Sequence, residues 1–425
     1  MRRTPLFYIS ITAIVTLVAG LVALNFIPKE KKIDADLKHQ YSASDPQFRR
    51  SLGVLLGPSI TEGNKVELLL NGDQIFPSML AAIRGAKESI TMETYIYWSE
   101  SIGKEFSEAL IERARAGVKV HLMLDFIGSM KMDLAAIDAM TAAGVQLQRY
   151  HKPVWWKFTK LNNRTHRKVL VVDGKIGFTG GVGIADQWRG KGQDDRHWRD
   201  THFRVEGPVV GQMQAVFNDN WTKATGTVLD GPHYFPPLGA VGGHPAQMFS
   251  SSPSGGSESM LLMYLMAITA ARDTIHLSSS YFVPDELTIK ALAAAARRGV
   301  KVRIITPGKD IDSAIVRAAS RQRWGELLKA GVQIAEYQPT MYHVKALVVD
   351  SLMVSVGSTN FDNRSFSLND EANLNVLDAQ FAREQVAVFE EDWKDARMIG
   401  LQEWEQRGWK EKAMGHMASL VGDQL

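Results

Sequence analysis

The 425-residue chain has no cysteine, which removes thiolate catalysis, disulfide staples and cysteine-ligated zinc, though it selects no compartment. Excess charge is missing too: 49 lysines and arginines against 46 acids leave a net +3. Non-specific nucleic-acid binders carry a strong basic bias, so no nucleic-acid partner is expected here, whereas a small positive balance suits an anionic lipid surface. His121, His151, His202, His233, His244, His276 and His416 show no spacing that makes a metal triad, and they read as structural. Neither a metal nor a cofactor is expected, and no obligate protein partner is evident.

Apolar runs long enough to cross a bilayer are absent with one exception. From Leu6 to Ile27 the chain has 22 residues without a charge, about 33 Å as a helix and enough to cross a bilayer. A cleaved signal peptide is the competing reading, with Arg2 and Arg3 in its favour, but no small-residue cleavage site follows. Residues 1–28 are therefore expected to be an uncleaved single-pass anchor in the cell membrane. Basic residues on both flanks leave its orientation open. The charged run from residue 29 to about 60 reads as a linker.

With 45% hydrophobic and 22% charged residues, the remainder is ordinary globular material, long enough for two cored domains. From Asn64 onward strand-like and helix-like segments alternate, as in an α/β domain. The same order returns after Ser257. Gly117-Val118-Lys119-Val120 matches Gly299-Val300-Lys301-Val302, and Ala143-Gly144-Val145-Gln146 matches Ala330-Gly331-Val332-Gln333. The reading is an internal duplication: domain 1 over 61–230, a Gly/Pro/Ser-rich connection over 231–257, domain 2 over 258–410 and a tail over 411–425.

Each half carries one chemical signature. His343 and Lys345 sit two apart ahead of the apolar run Leu347-Val348-Val349, so on an extended strand both point the same way. Alone, such a pair is no more than a strand with a surface His and Lys. The first half repeats it as His166-Arg167-Lys168 before Val169 to Val172. Two histidines and two lysines converging on one phosphodiester permit a displacement in two steps: one imidazole attacks phosphorus, and the other protonates the leaving oxygen.

Asp350 lies an odd number of residues from His343, on the opposite strand face and about 23 Å away, so the strand geometry makes it a strand-ending residue. Better orienting partners are Asp200 and Glu371, which follow the His-x-Lys pair at similar distances in each half. A carboxylate on one imidazole nitrogen fixes the tautomer, and Glu371 is expected beside His343. Ser358 and Asn360 offer side chains suited to phosphate oxygens. The stretch from Tyr150 to Lys160 interleaves aromatic and basic residues and suits a headgroup interface, base stacking or a structural role, with the nearby anchor favouring lipid.

The paired H-x-K-x-x-x-x-D segments, His166 to Asp173 and His343 to Asp350, resemble the phospholipase D superfamily. The surrounding text, from about Val66 to Val376, resembles bacterial cardiolipin synthases. The resemblance implies two tandem phospholipase D-like α/β domains with pseudo-twofold symmetry. It implies a catalytic set of His166, Lys168, Asp173, His343, Lys345 and Asp350, with His166 as nucleophile and His343 as general acid/base. The implied reaction is phosphatidyl transfer to phosphatidylglycerol through a phosphohistidine, releasing glycerol, with phosphatidylethanolamine as a further candidate donor. Hydrolysis of phospholipid or single-stranded nucleic acid by the same histidines is the alternative, and a lipid-binding scaffold with a degenerate site is a third reading. The departure from the family is at Gly183, where such synthases keep Asn, and Gly181 stands where the second half has Ser358. Backbone N–H groups are left as the first half's phosphate ligands there, which makes the expected pocket asymmetric.

Overall fold

A computed structural model describes residues 11–13, 15–17, 20, 33, 37–150, 152, 163–253 and 259–420. Among the described residues no helix is long and apolar enough to cross a membrane. The anchor expected over 1–28 lies for the most part outside them, as does the aromatic-basic stretch apart from Tyr150 and Lys152.

The first half contributes β1 (Thr61–Leu70), β2 (Ser89–Thr94), β3 (Lys119–Asp125), β4 (Gln146–Tyr150), β5 (Arg164–Thr165), β6 (Val169–Val172), β7 (Ile176–Gly180) and β8 (Thr201–Glu206). The second contributes β9 (His244–Ser251), β10 (Thr274–Ser279), β11 (Phe282–Val283), β12 (Lys301–Pro307), β13 (Gln333–Tyr337), β14 (Lys345–Val349), β15 (Met353–Gly357), β16 (Phe361–Asp362), β17 (Asn369–Leu377) and β18 (Ala396–Ile399). One mixed sheet runs β18-β13-β12-β10-β14-β15-β17-β9-β1-β8-β7-β6-β2-β3-β4, with β5 joined to β17. Outward from the antiparallel β9–β1 seam, the series β17, β15, β14, β10, β12, β13 mirrors β8, β7, β6, β2, β3, β4. This is the duplicated α/β architecture expected from the repeated segments.

Both faces of the sheet are covered, which is why its inner strands read as continuous apolar runs. Along β6, Leu170 and Val172 point into the first half's own core, while Val169 and Val171 point into a second core. Along β14, Leu347 and Val349 enter the second half's core, and Val348 joins Val169 and Val171. That shared layer, with Phe203, Val210, Met248, Leu374 and Phe381, belongs to both halves and locks them together.

Sequence patterning misses three elements. β9, a central strand, falls within the expected connection 231–257. The helix Pro46–Leu56 falls within the expected linker; Asp45 caps it by accepting from Gln47 N, and Phe48 and Leu52 sit buried in the second half's core. The helix Trp409–Leu420 extends into the expected tail and packs Ala418 beside Val316.

Candidate active site

The two His-x-Lys pairs end their approach to the sheet just before β6 and β14, and the chain crosses between halves at both places. His166 N donates to Asp370 O at 2.9 Å, and His343 N donates to Arg199 O at 2.8 Å. β5 runs parallel to β17, and a bridge joins Arg199 to Tyr342 in the same sense. Each histidine is therefore hydrogen-bonded to the residue that precedes the other half's carboxylate. The side chains follow the backbone: His166 Nδ1 lies 2.9 Å from Glu371 Oε1, and His343 Nδ1 lies 2.7 Å from Asp200 Oδ2.

The pairing corrects one expectation. Glu371 orients His166, not His343, because each half's carboxylate strand is seated against the partner half's motif. Both Nδ1 atoms are engaged by carboxylates, so Nε2 is the nitrogen each ring presents.

The lysines sit inside the same cluster. Lys168 Nζ donates to His166 O at 2.8 Å, and Lys345 Nζ donates to His343 O at 2.9 Å while standing 3.2 Å from His343 Nε2. Burial pushes Lys168 down to about 7, helped by the charge of Lys345. Burial likewise brings Lys345 down to about 8, against the pull of Asp200 and Glu371. His166 is lowered to about 4 by burial, with Glu371 opposing, and His343 is lowered well below its usual value by burial and both lysines. Their surroundings thus favour the neutral form of both histidines. An anionic phosphodiester among these groups raises all four.

The carboxylates differ. Burial raises Asp200 to about 6 despite Lys345, the Thr201 N–H and the Trp188 N–H. For Glu371 burial works in the same direction but is outweighed by His166, Lys168 and Ser358, so it lies below the ordinary range.

Asp173 and Asp350 stand outside this cluster, which corrects the catalytic placement that the resemblance implies. Asp173 accepts from the backbone N–H groups of Lys87, Glu88 and Ser89, and Asp350 from those of Arg272, Asp273 and Thr274. Both have left-handed φ, 53° and 51°, a conformation that Asp tolerates where a strand turns back. They tie the motif strands to the loops entering β2 and β10.

Ser358 is also recast. Its hydroxyl donates to Glu371 Oε2 at 2.5 Å and accepts from Ala372 N at 3.0 Å, so it holds the carboxylate in place. Asn360 is buried, its N bonded to Ser365 Oγ, and its Oδ1 meets no partner among the described residues. In the first half the expected backbone ligand fails at Gly181, whose N–H donates to Thr201 O at 3.1 Å. A Cβ at Gly181 would lie 2.2 Å from Asp200 Oδ1, so the carboxylate occupies the space a side chain needs.

Four participants escaped the sequence reading. Ser280 accepts from Lys345 Nζ at 2.5 Å. The Tyr95 ring meets His166 edge-on with centroids 5.3 Å apart, and Trp188 and Trp198 meet His343 at 5.2 and 5.3 Å. The one available signal was the repeat itself: Tyr95 and Ser280 occupy like places, each the first residue after β2 and β10. Among the described residues no group of three or more His, Asp or Glu could hold a metal ion.

A mirrored sheet with two crossed histidine-carboxylate pairs at its seam defines a protein of the phospholipase D type. The family described as "Cardiolipin synthase, PLD-like domain" matches residues 79–221 and 264–393. The cardiolipin synthase of Geobacillus kaustophilus is 36% identical over 370 residues, covering 86% of this chain and 73% of that protein. Cardiolipin synthase A of Pseudomonas syringae is 36% identical over 343 residues, covering 80% and 71%. The solved phosphatidylserine synthase of Haemophilus influenzae shares the fold, with a TM-score of 0.68 at 14% identity over 89% of this chain and all of that one. The chain belongs to the cardiolipin synthase family of the phospholipase D superfamily.

Proposed function

We propose that the chain is a phosphatidyltransferase that makes cardiolipin. His166 Nε2 attacks the phosphorus of a phosphatidylglycerol donor, and the P–O bond to the headgroup breaks as His343 gives that oxygen a proton, releasing glycerol. The covalent product is a phosphatidyl-histidine. His343, now neutral, takes the proton from the free glycerol hydroxyl of a second phosphatidylglycerol. That oxygen then attacks phosphorus, the P–N bond breaks, and His166 is restored. Lys168 and Lys345 offset the charge on the non-bridging oxygens, with the Asn360 amide beside them.

The observation that carries this reading is the pair of crossed contacts, His166 to Glu371 and His343 to Asp200, which leave one Nε2 in each half for chemistry at one phosphorus. The stronger hold on an ionised Glu371 favours His166 as nucleophile, since a fixed carboxylate stabilises the imidazolium-like phosphohistidine. The names of the relatives support cardiolipin as the product. We read residues 61–230 and 258–410, the latter joined by β9, as the two phospholipase D-like units and residues 1–28 as the membrane anchor.

The test is purified full-length protein in mixed micelles of detergent and phosphatidylglycerol. Cardiolipin and glycerol in equal amounts are expected, and His166→Ala and His343→Ala should each reduce them to background. Phosphatidic acid without cardiolipin would replace transfer by hydrolysis, and degradation of single-stranded DNA in place of lipid turnover would overturn the substrate class. Ethanolamine release on adding phosphatidylethanolamine would identify a second donor.

A further inference from the structure

The two halves hold their carboxylates with different donors. Glu371 receives the Ser358 hydroxyl, whereas the corresponding position in the first half is Gly181, which has no side chain. Asp200 instead receives the indole N–H of Trp188, 2.9 Å from Oδ2, the same oxygen that meets His343 Nδ1 at 2.7 Å. Thr201 N donates to Oδ1 at 2.8 Å. We propose that Trp188 is the positioning residue of the Asp200–His343 pair, its indole N–H standing in for the serine hydroxyl of the other half.

The neighbouring glycines fit this assignment. A Cβ at Gly183 would lie 2.9 Å from Ile96 Cβ and 3.1 Å from Cη2 and Cζ3 of Trp188. The ring thus fills the space over Gly183, and the family's asparagine cannot enter without displacing it. Gly181 yields its space to Asp200, and Gly183 yields its space to the indole. Trp188 is 1% exposed, and its ring meets both Trp198, at 4.6 Å, and the edge of His343.

The substitution changes the chemistry. Serine hydroxyls donate and accept and can rotate; an indole N–H only donates, along one fixed direction. With Trp188, Asp200 Oδ2 is presented to His343 at a fixed angle and behind a dry aromatic wall. The charged or titratable groups facing Asp200 are His343, Lys345, Lys168 and His202, and Trp188 is the uncharged side-chain donor among its neighbours. Loss of its N–H leaves a buried carboxylate short of one hydrogen bond, which favours the protonated acid and uncouples it from His343.

This inference rests on His343 being the acid/base of the proposed reaction, and the experiment separates the two. Trp188→Phe keeps an aromatic ring at the position and deletes the N–H together with the five-membered ring that carries it. In the full-length enzyme, kcat for cardiolipin formation should fall about ten- to a hundredfold with KM unchanged within about twofold. The acid limb of kcat should move up by about one pH unit. Trp324→Phe, which removes an indole bonded to the neutral Ser320 hydroxyl in the other half, should leave that limb in place. A Trp188→Phe enzyme with an unmoved acid limb overturns the proposal, whatever its melting temperature. Should that variant not fold, the wild-type indole 15N–1H resonance of Trp188, recorded without substrate, must titrate with the ionisation of Asp200. An indole resonance indifferent to pH between about 4 and 8 overturns the assignment. If no cardiolipin forms, the functional reading fails on its own, and the substrate-free titration still decides the role of Trp188.

Discussion

At the scale of single residues, two buried lysines should set the alkaline end of the pH range of the proposed chemistry. Lys168 and Lys345, brought down to about 7 and about 8 by burial, lose their charge as pH rises through those values. In the proposed site their cationic forms hold the phosphate, so kcat/KM should decline above about pH 7 and more steeply above about pH 8. Initial rates in mixed micelles from about pH 5 to 10 measure this, and a profile flat to pH 10 excludes the lysines as phosphate ligands. Glu371→Gln should reduce kcat roughly a thousandfold by offering His166 the wrong tautomer. It should also slow formation of the trapped phosphohistidine more than its breakdown, which rapid quenching with labelled lipid resolves. The histidines and lysines were legible because a spacing that is uninformative alone occurs twice in matching context. The orienting carboxylates were legible as residues but not as partners. Spacing along a chain says nothing about a parallel pairing such as Asn369 opposite Arg164, which brings Glu371 to the other half's histidine. Trp188 was not legible at all, since its role exists only through a contact across space.

At the scale of elements, Asp173 and Asp350 act as clasps that fasten a strand end to a loop. Each gathers three backbone N–H groups, so Asp173→Ala should cost about 1–3 kcal/mol of stability. The rate per folded molecule should stay near that of the wild type. Thermal unfolding together with active-site titration separates the two effects, and a large loss of kcat at unchanged folded fraction would return Asp173 to the chemistry. The repeated strands and helices were readable because their apolar runs are long and recur in the same order. β9 was not, since it follows a Gly- and Pro-rich stretch, and both its ladder partners, β1 and β17, lie more than a hundred residues away in the chain. The helix Pro46–Leu56 was hidden by the charged run ahead of it. Its cap and its buried Phe48 make sense only against the second half's core.

At the scale of the whole molecule, one chain builds one complete pair of crossed dyads. Equimolar His166→Ala and His343→Ala proteins, mixed or co-expressed, should therefore remain inactive. Recovery of about a quarter or more of wild-type activity would instead mean that halves exchange between chains. The crossing has a further consequence during synthesis. His166 and Glu371 are 205 residues apart, and a ribosome moving at about 5–20 residues per second needs about 10–40 s to cover that stretch. Throughout that interval the nascent chain carries an imidazole without its carboxylate. It also carries an open sheet edge, first at β1 and then at β9 until β17 is made, free to pair with other chains. A chaperone that shields that edge would serve this protein until the last quarter of translation, and the dyads close only when little of the chain remains to be made.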